Sequence, residues 1–284
     1  MATDSGLGLF MDVGTGTSVT AKLGRMTGGG FNPCDQVDTR EGIGADALNV
    51  GGALEPGGTC SYEASIITWP NYAIRSSFTD PSLTDLCFIG NFSGDARKQT
   101  GAKISKLTIK GAVNSALTVD MEWKCLTDVA DTSTPQDALT TTVFEWFTGT
   151  ALIDGEARCC QDFTIELDNN IEYVYCLDTT TENTRRFPDA LHVGSQTFSV
   201  NTTTLTRPTT TEFAAVRADT LGVADTCVFT FIGGTSGTQT LTITCSNLTP
   251  TGIAVPFSVG GDIISYNRNF TGAKDTACLS MAVA

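Results

Sequence analysis

Lys103-Ile104-Ser105-Lys106-Leu107-Thr108-Ile109-Lys110, a link through Gly111-Ala112-Val113-Asn114-Ser115, and Leu117-Thr118-Val119-Asp120-Met121-Glu122-Trp123-Lys124-Cys125 read as two strands joined by a turn. In the second half Leu117, Val119, Met121, Trp123 and Cys125 alternate with Thr118, Asp120, Glu122 and Lys124. Successive side chains of a strand point to opposite faces, so this segment has one apolar and one wet face. A helix would scatter the same charges around its circumference.

The same period recurs on either side. Cys60 to Trp69 reads as a strand stopped by Pro70, and a further short strand fits Leu86–Ile89 within an otherwise loop-like stretch from Asn71 to Gln99. A polar link covers Asp128–Asp137, and the centre of 138–155 fits either a strand or a short helix. Phe163–Leu167, the turn Asp168-Asn169-Asn170 and Ile171–Tyr175 follow, then strands at Gln196–Val200, Thr226–Ile232, Gln239–Cys245 and Asp262–Phe270. Gly233–Gly237 reads as a hairpin loop between two of them. One helix is expected, begun by Pro208 and Thr209–Thr211 and ended at Gly222. The expected fold is all-β: an antiparallel β-sandwich or barrel with one short flanking α-helix.

Residues 1–59 are different in character. Glycines at 14, 16, 28–30, 51–52 and 57–58 interrupt any apolar pattern, which predicts a Gly-rich N-terminal arm or loops, with room for one hairpin. Residues 60–284 form the expected sandwich domain, with an inserted or duplicated subdomain as an option around 126–160.

Charge narrows the function classes. Lys and Arg number 17 against 31 Asp and Glu, a formal net charge of -14, so the chain lacks the basic footprint that grips phosphates. No run approaches the roughly 18 apolar residues of a membrane-spanning helix. The first residues carry an acid and no basic or apolar block, so no secretory signal is expected there, and the sequons at Asn91, Asn201, Asn247 and Asn269 carry little weight.

Catalytic, cofactor and metal sites are all expected to be absent. His192 is the one histidine, and no GxSxG elbow, Walker loop or GxGxxG motif accompanies it. Asp168-Asn169-Asn170 with Glu166 and Glu172 offers oxygens for calcium but does not follow the EF-hand spacing, and an acidic hairpin tip is the plainer reading. The ten cysteines, at 34, 60, 87, 125, 159, 160, 176, 227, 245 and 278, contain no CxxC pair. Several sit in apolar alternation, which favours buried thiols acting as small hydrophobes and leaves disulfides and metal as alternatives.

Taken in order, the elements resemble a tail tube (major tail) protein of long-tailed, siphovirus-like bacteriophages. Residues 103–125 resemble the family's strand pair, 163–175 its strand, acidic-Asn turn and return strand, and 185–205 the stretch leading from a proline to a long strand. Residues 208–222 stand where the family places its flanking helix, and the segments 229–252 and 259–272 are similar to its closing strands. The resemblance implies a virion protein of the phage tail, assembled in the host cytoplasm, without enzymatic activity. Its rings, hexameric or trimeric pseudo-hexameric, would stack into a hollow tube through which DNA passes without specific binding. Tape-measure, tail terminator and baseplate or initiator proteins are the implied partners. Candidate lumen residues are Asp120 and Glu122, or Glu166 and Glu172, with the inward face left open. The alternative function is a secreted or virion-surface β-sandwich module for adhesion or carbohydrate binding, using Trp69, Trp123 and Trp146.

Overall fold

The computed structural model describes residues 10–17, 21–22, 25–32, 35–40, 48–65, 69–75, 82–92, 95–131, 142–176, 187–210, 214, 225–234, 237–254, 265–272 and 278–284. In the first third of the chain the strands are β1 Phe10–Thr15, β2 Ala21–Lys22, β3 Arg25–Asn32, β4 Asp35–Arg40, β5 Leu48–Leu54, β6 Gly57–Glu63 and β7 Leu86–Phe92. The middle holds β8 Asp95–Ala112, β9 Thr118–Lys124, β10 Thr127–Asp131, β11 Thr150–Ile153, β12 Glu156–Ala157, β13 Cys160–Asp168, β14 Ile171–Val174 and β15 Ala190–Val193. β16 Thr197–Thr204, β17 Asp225–Gly233, β18 Gln239–Ala254, β19 Tyr266–Gly272 and β20 Leu279–Val283 complete the set.

The expected hairpin is present as β8–β9, and it is the middle of a broad antiparallel sheet. Hydrogen-bonded neighbours run β3-β6-β9-β8-β13-β16-β19-β18. Its inner rows are apolar: Cys60, Met121, Leu107, Leu167 and Phe198 lie opposite one another across five strands, and Tyr62, Val119, Ile109, Ile165, Val200 and Phe270 form the next row. All eleven are buried.

Two smaller sheets cover that inner face. One, β12-β11-β17-β18 with β20, brings Phe229 onto Phe163 of β13 with ring centroids 4.0 Å apart. The other, β2-β1-β7 with the first half of β8 and β10, brings Phe88 onto Trp123 of β9 at 4.1 Å. Aromatic pairs of this kind add about 0.5–1.5 kcal/mol beyond the area they bury. Here they also fasten one layer to the next.

Both covering sheets are extensions of long strands of the broad sheet. β8 pairs with β7 and β10 up to Ala102 and with β9 and β13 from Lys103 onward. The change falls at Gly101, whose φ of +62° suits glycine and whose missing Cβ leaves room for Leu126. Register shifts at Leu86–Phe88 and Ile104–Lys106 flank it, the bulges that let a strand bend out of one sheet into another. β18 behaves likewise: β17 and β20 flank its first half, β19 its second, and Asn247 with φ +55° stands at the junction. Past Leu248 the side of β18 away from β19 carries no strand among the described residues, and Pro250 sits at a bulge there.

Several expectations need correction. The first 59 residues were expected as arm or loops, yet β1 pairs with β7 and β3 with β6, so glycine-rich segments join the main body. Glycine suits close approach here: a Cβ on Gly58 would lie 2.3 Å from the Trp123 ring. Of the strands before residue 60, β4 and β5 pair solely with each other among the described residues. Of the polar link expected at Asp128–Asp137, the residues up to Asp131 belong to strand β10 and 132–137 lie outside the described residues, while the 138–155 region provides a 3-10 turn at Trp146–Thr148 followed by β11. Most of Pro208–Gly222 lies outside the described residues, with Thr210 and Ala214 in helical conformation. Parts of the expected 60–69 and 262–270 strands lie outside them too.

Beneath the β8 bend is a buried polar chain. Trp123 Nε1 donates to Gln99 Oε1 (2.7 Å), Gln99 Nε2 donates to the Gly57 carbonyl (2.9 Å) and to Asp128 Oδ2 (3.2 Å), and Arg97 Nε donates to Asp128 Oδ1 (2.7 Å). Trp123→Phe keeps the stack but leaves the Gln99 acceptor unpaired, so it is expected to cost about 1–3 kcal/mol. Urea unfolding checks this against Glu122→Gln on the exposed face, expected to stay within about 0.5 kcal/mol.

Candidate functional site

The outer face of the broad sheet follows from the other half of each alternation. One row crosses it as Ser61, Asp120, Thr108, Glu166, Ser199, Thr271 and Thr249. The rows beside it are Thr59, Glu122, Lys106, Asp168, Thr197 and Glu63, Thr118, Lys110, Thr164, Asn201, Asn269. A fourth runs Ala112, Asp162, Thr203, Asn267. No side chain in these rows is a large hydrophobe. Glu63, Asp120, Glu122, Asp162, Glu166 and Asp168 face Lys106 and Lys110, so the surface is hydroxyl-rich and net negative.

Of the four candidate carboxylates, Asp120, Glu122 and Glu166 share this face. Glu172 does not: it lies on β14, opposite His192 of β15, in a separate two-stranded sheet. That pairing also corrects the expected return strand, since β14 turns away from β13 to find β15. The cause lies in the turn. Buried Asn169 donates from Nδ2 to the Ala73 and Ile104 carbonyls (2.9 Å each) and accepts from Gln196 Nε2 (2.8 Å). Asp168 Oδ1 accepts from the Asn170 amide (2.8 Å). These oxygens are committed to the fold, and the segment is a corner rather than an acidic hairpin tip.

The small β14–β15 sheet is fastened beside the broad one. Tyr173 donates to the Pro56 carbonyl (2.5 Å) and Tyr175 to that of Leu54 (2.7 Å), while Lys124 Nζ sits 5.0 Å from the centre of the Tyr173 ring and donates to the Ile171 carbonyl. His192 is exposed at its edge. Trp69 and Trp123 are buried in the core, which removes them from any surface aromatic platform.

Trp146 is the exposed member of the tryptophans and stands with Phe147 at the rim of an open cleft of about 720 Å³. Phe163, Phe229 and Phe231 floor this cleft, and Arg158, Cys159, Cys160 and Gln161 line its mouth. Sequence reasoning missed it because its walls come from β8, β11, β13 and β17, far apart in the chain. The nine described cysteines are free thiols; six are buried, as the small-hydrophobe reading expected, while Cys34 lies outside the described residues.

Electrostatics on the polar face are mild. Burial of Asp120 would raise its pKa, but hydrogen bonds from Lys110 and Ser61 and the lysine charge outweigh it and hold the carboxyl below its ordinary value. The Lys110–Asp120 pair, 2.8 Å apart, is substantially exposed and contributes about 0–1 kcal/mol. A depressed carboxylate pKa means stability that is present above the unfolded-state value and lost as pH falls through the folded-state value. An NMR titration of Asp120 is expected to show a midpoint below that of an unperturbed aspartate, moving upward in Lys110→Ala.

Among the described residues, no helix of more than a turn accompanies this broad polar sheet. No curated protein matches the chain. A family model described as phage tail tube protein matches residues 2–272, and so includes the glycine-rich first strands as well as the sandwich. The chain belongs to the phage tail tube protein family and is a structural component of the virion tail.

Proposed function

We propose that the chain polymerises into stacked rings forming the hollow tube through which phage DNA passes, with the polar face of the broad sheet toward the lumen. The observation that carries this reading is that face: four rows dominated by hydroxyl, amide and carboxylate side chains, with two lysines and no large hydrophobe. Carboxylates repel the phosphate backbone, and the six on this face outnumber its two cations, Lys106 and Lys110, so little counterion release is available to make DNA stick. By contrast, the outer side of the β11–β17 sheet exposes Leu152 and Ile232, which suits packing against other protein.

Neighbouring copies join through the open ends of the broad sheet, the β3 edge of one against the unpaired side of β18 in the next, so that a ring closes the edges a monomer leaves bare. One continuous sheet system per chain supports hexameric rings over trimers of duplicated domains. The β4–β5 hairpin, which pairs with no other strand among the described residues, is the segment that reaches the adjacent ring; the proposed arm is thus narrower than residues 1–59. Tape-measure, terminator and baseplate proteins meet the tube inside and at its ends. Free thiols suit assembly in the reducing host cytoplasm.

Electron microscopy of the purified chain over a concentration series, with an initiator complex added where needed, is expected to show hollow tubes of uniform width; a persistent monomer under both conditions overturns the reading. Replacing residues 36–52 with a two-residue Asn-Gly turn is expected to leave a folded protein that forms no tubes, and normal tubes from that variant would remove the hairpin from the assembly. Glu122→Lys with Glu166→Lys is expected to give tubes that retain DNA in a salt-dependent way, where the parent tubes do not. Retention unchanged by the double substitution would place those residues outside the lumen.

A further inference from the structure

Cys159 and Cys160 are neighbours in the chain at the mouth of the aromatic cleft, Cys159 exposed and Cys160 partly covered. In a regular strand adjacent side chains point to opposite faces, which holds vicinal thiols apart. The backbone here is not regular. The Cys160 amide donates to the Arg158 carbonyl two residues back (3.0 Å), a γ-type turn centred on Cys159, and the β13 ladder shifts register between Cys160 and Asp162. Flanking bonds anchor the turn: the Cys159 amide donates to Thr206 Oγ1 (3.1 Å), and the Leu205 amide donates to the Cys159 carbonyl (2.8 Å).

We propose that Cys159 and Cys160 form a dithiol modification site that small hydroperoxides convert to a vicinal disulfide. Cys159, as the exposed thiol, attacks the peroxide oxygen; the O–O bond breaks, Cys159 becomes a sulfenic acid, and the leaving oxygen departs as water or alcohol. The Cys160 sulfur then attacks the sulfenic sulfur, the S–O bond breaks, and its hydroxide leaves as water with the Cys160 proton. Two thiols lose two electrons and the hydroperoxide gains them. Cys160 gives up its contact with the Asp162 carbonyl (3.1 Å), and the new ring stiffens the link between β12 and β13 at the cleft mouth.

The order of attack follows from the surroundings. Burial, then the neighbouring Asp162, push the Cys160 thiol up to about 12, so Cys160 is the poorer first attacker and the exposed Cys159 meets the peroxide before it. Burial likewise raises Cys227 to about 12 and Cys245 well above its ordinary range, and both are fully covered, so they are slow to compete. Cys176 is exposed and Cys34 is outside the described residues. Both are therefore removed in the test. The proposal does not rest on the tube reading.

The experiment uses the full chain carrying Cys34→Ser and Cys176→Ser, reduced and then treated with hydrogen peroxide, with circular dichroism confirming the fold. The expected result is an intact mass lower by about 2 Da without dimer formation, and loss of maleimide labelling at the pair without dissolving the core. Adding Cys160→Ser should abolish the mass loss and leave a Cys159 sulfenic acid that dimedone traps. Continued labelling of both thiols, sulfinic acid at Cys159 in the two-serine background, or a disulfide mapped to other cysteines would overturn the proposal.

Discussion

The structure depends on covering one apolar face that is wider than any single opposing sheet. Rows of five and six buried side chains cross the broad sheet from β6 to β19, and water must be kept from all of them. The chain solves this by bending two of its own strands, β8 at Gly101 and β18 at Asn247, so that each leaves the broad sheet and founds a covering layer. Because the covers are continuous with what they cover, their registers are fixed by the same ladders. The Phe163–Phe229 and Phe88–Trp123 stacks then hold the layers at packing distance.

That device explains what was legible in the sequence. Alternation from Leu117 to Cys125 announced a strand with one wet face because both faces keep their environment along its whole length. The full lengths of β8 and β18 were not legible: a strand that passes from one sheet to another changes which neighbours surround it, and its alternation is interrupted at the bulge. The β10 residues Asp128–Asp131 read as the start of a polar link since Asp128 is buried by pairing with Arg97 and Gln99, a compensation invisible without the fold. The glycines of β3 and β6 read as loop because glycine disfavours strands in general, whereas Gly29 of β3 lies close against Thr59 and Cys60 of β6, and Gly58 of β6 lies against the Trp123 ring.

The polar face was legible one strand at a time. Asp120 with Glu122, and Glu166, were each seen as outward carboxylates, but that they belong to one surface is a statement about register, carried by the pairing of Thr108 with both Asp120 and Glu166. Glu172 was misjudged for the same reason. Its strand follows β13 closely in sequence, and only the inward commitment of Asn169 sends it elsewhere. The cleft and its dithiol depend on four strands meeting, so local pattern held no trace of them beyond the adjacency of two cysteines.

The two ends of the broad sheet are unlike each other. β3 offers a glycine-rich edge uninterrupted by proline, while β18 carries Pro250 at a bulge in its ladder with β19. Proline withholds a backbone donor, so the second edge cannot copy the hydrogen-bonding pattern of the first. Self-pairing about a two-fold axis would need each edge to match itself; end-to-end pairing needs only that the two differ and fit. The sheet therefore has a sense of direction, with a leading and a trailing side, and the proposed ring would draw on it by adding like to unlike rather than closing into a symmetric pair.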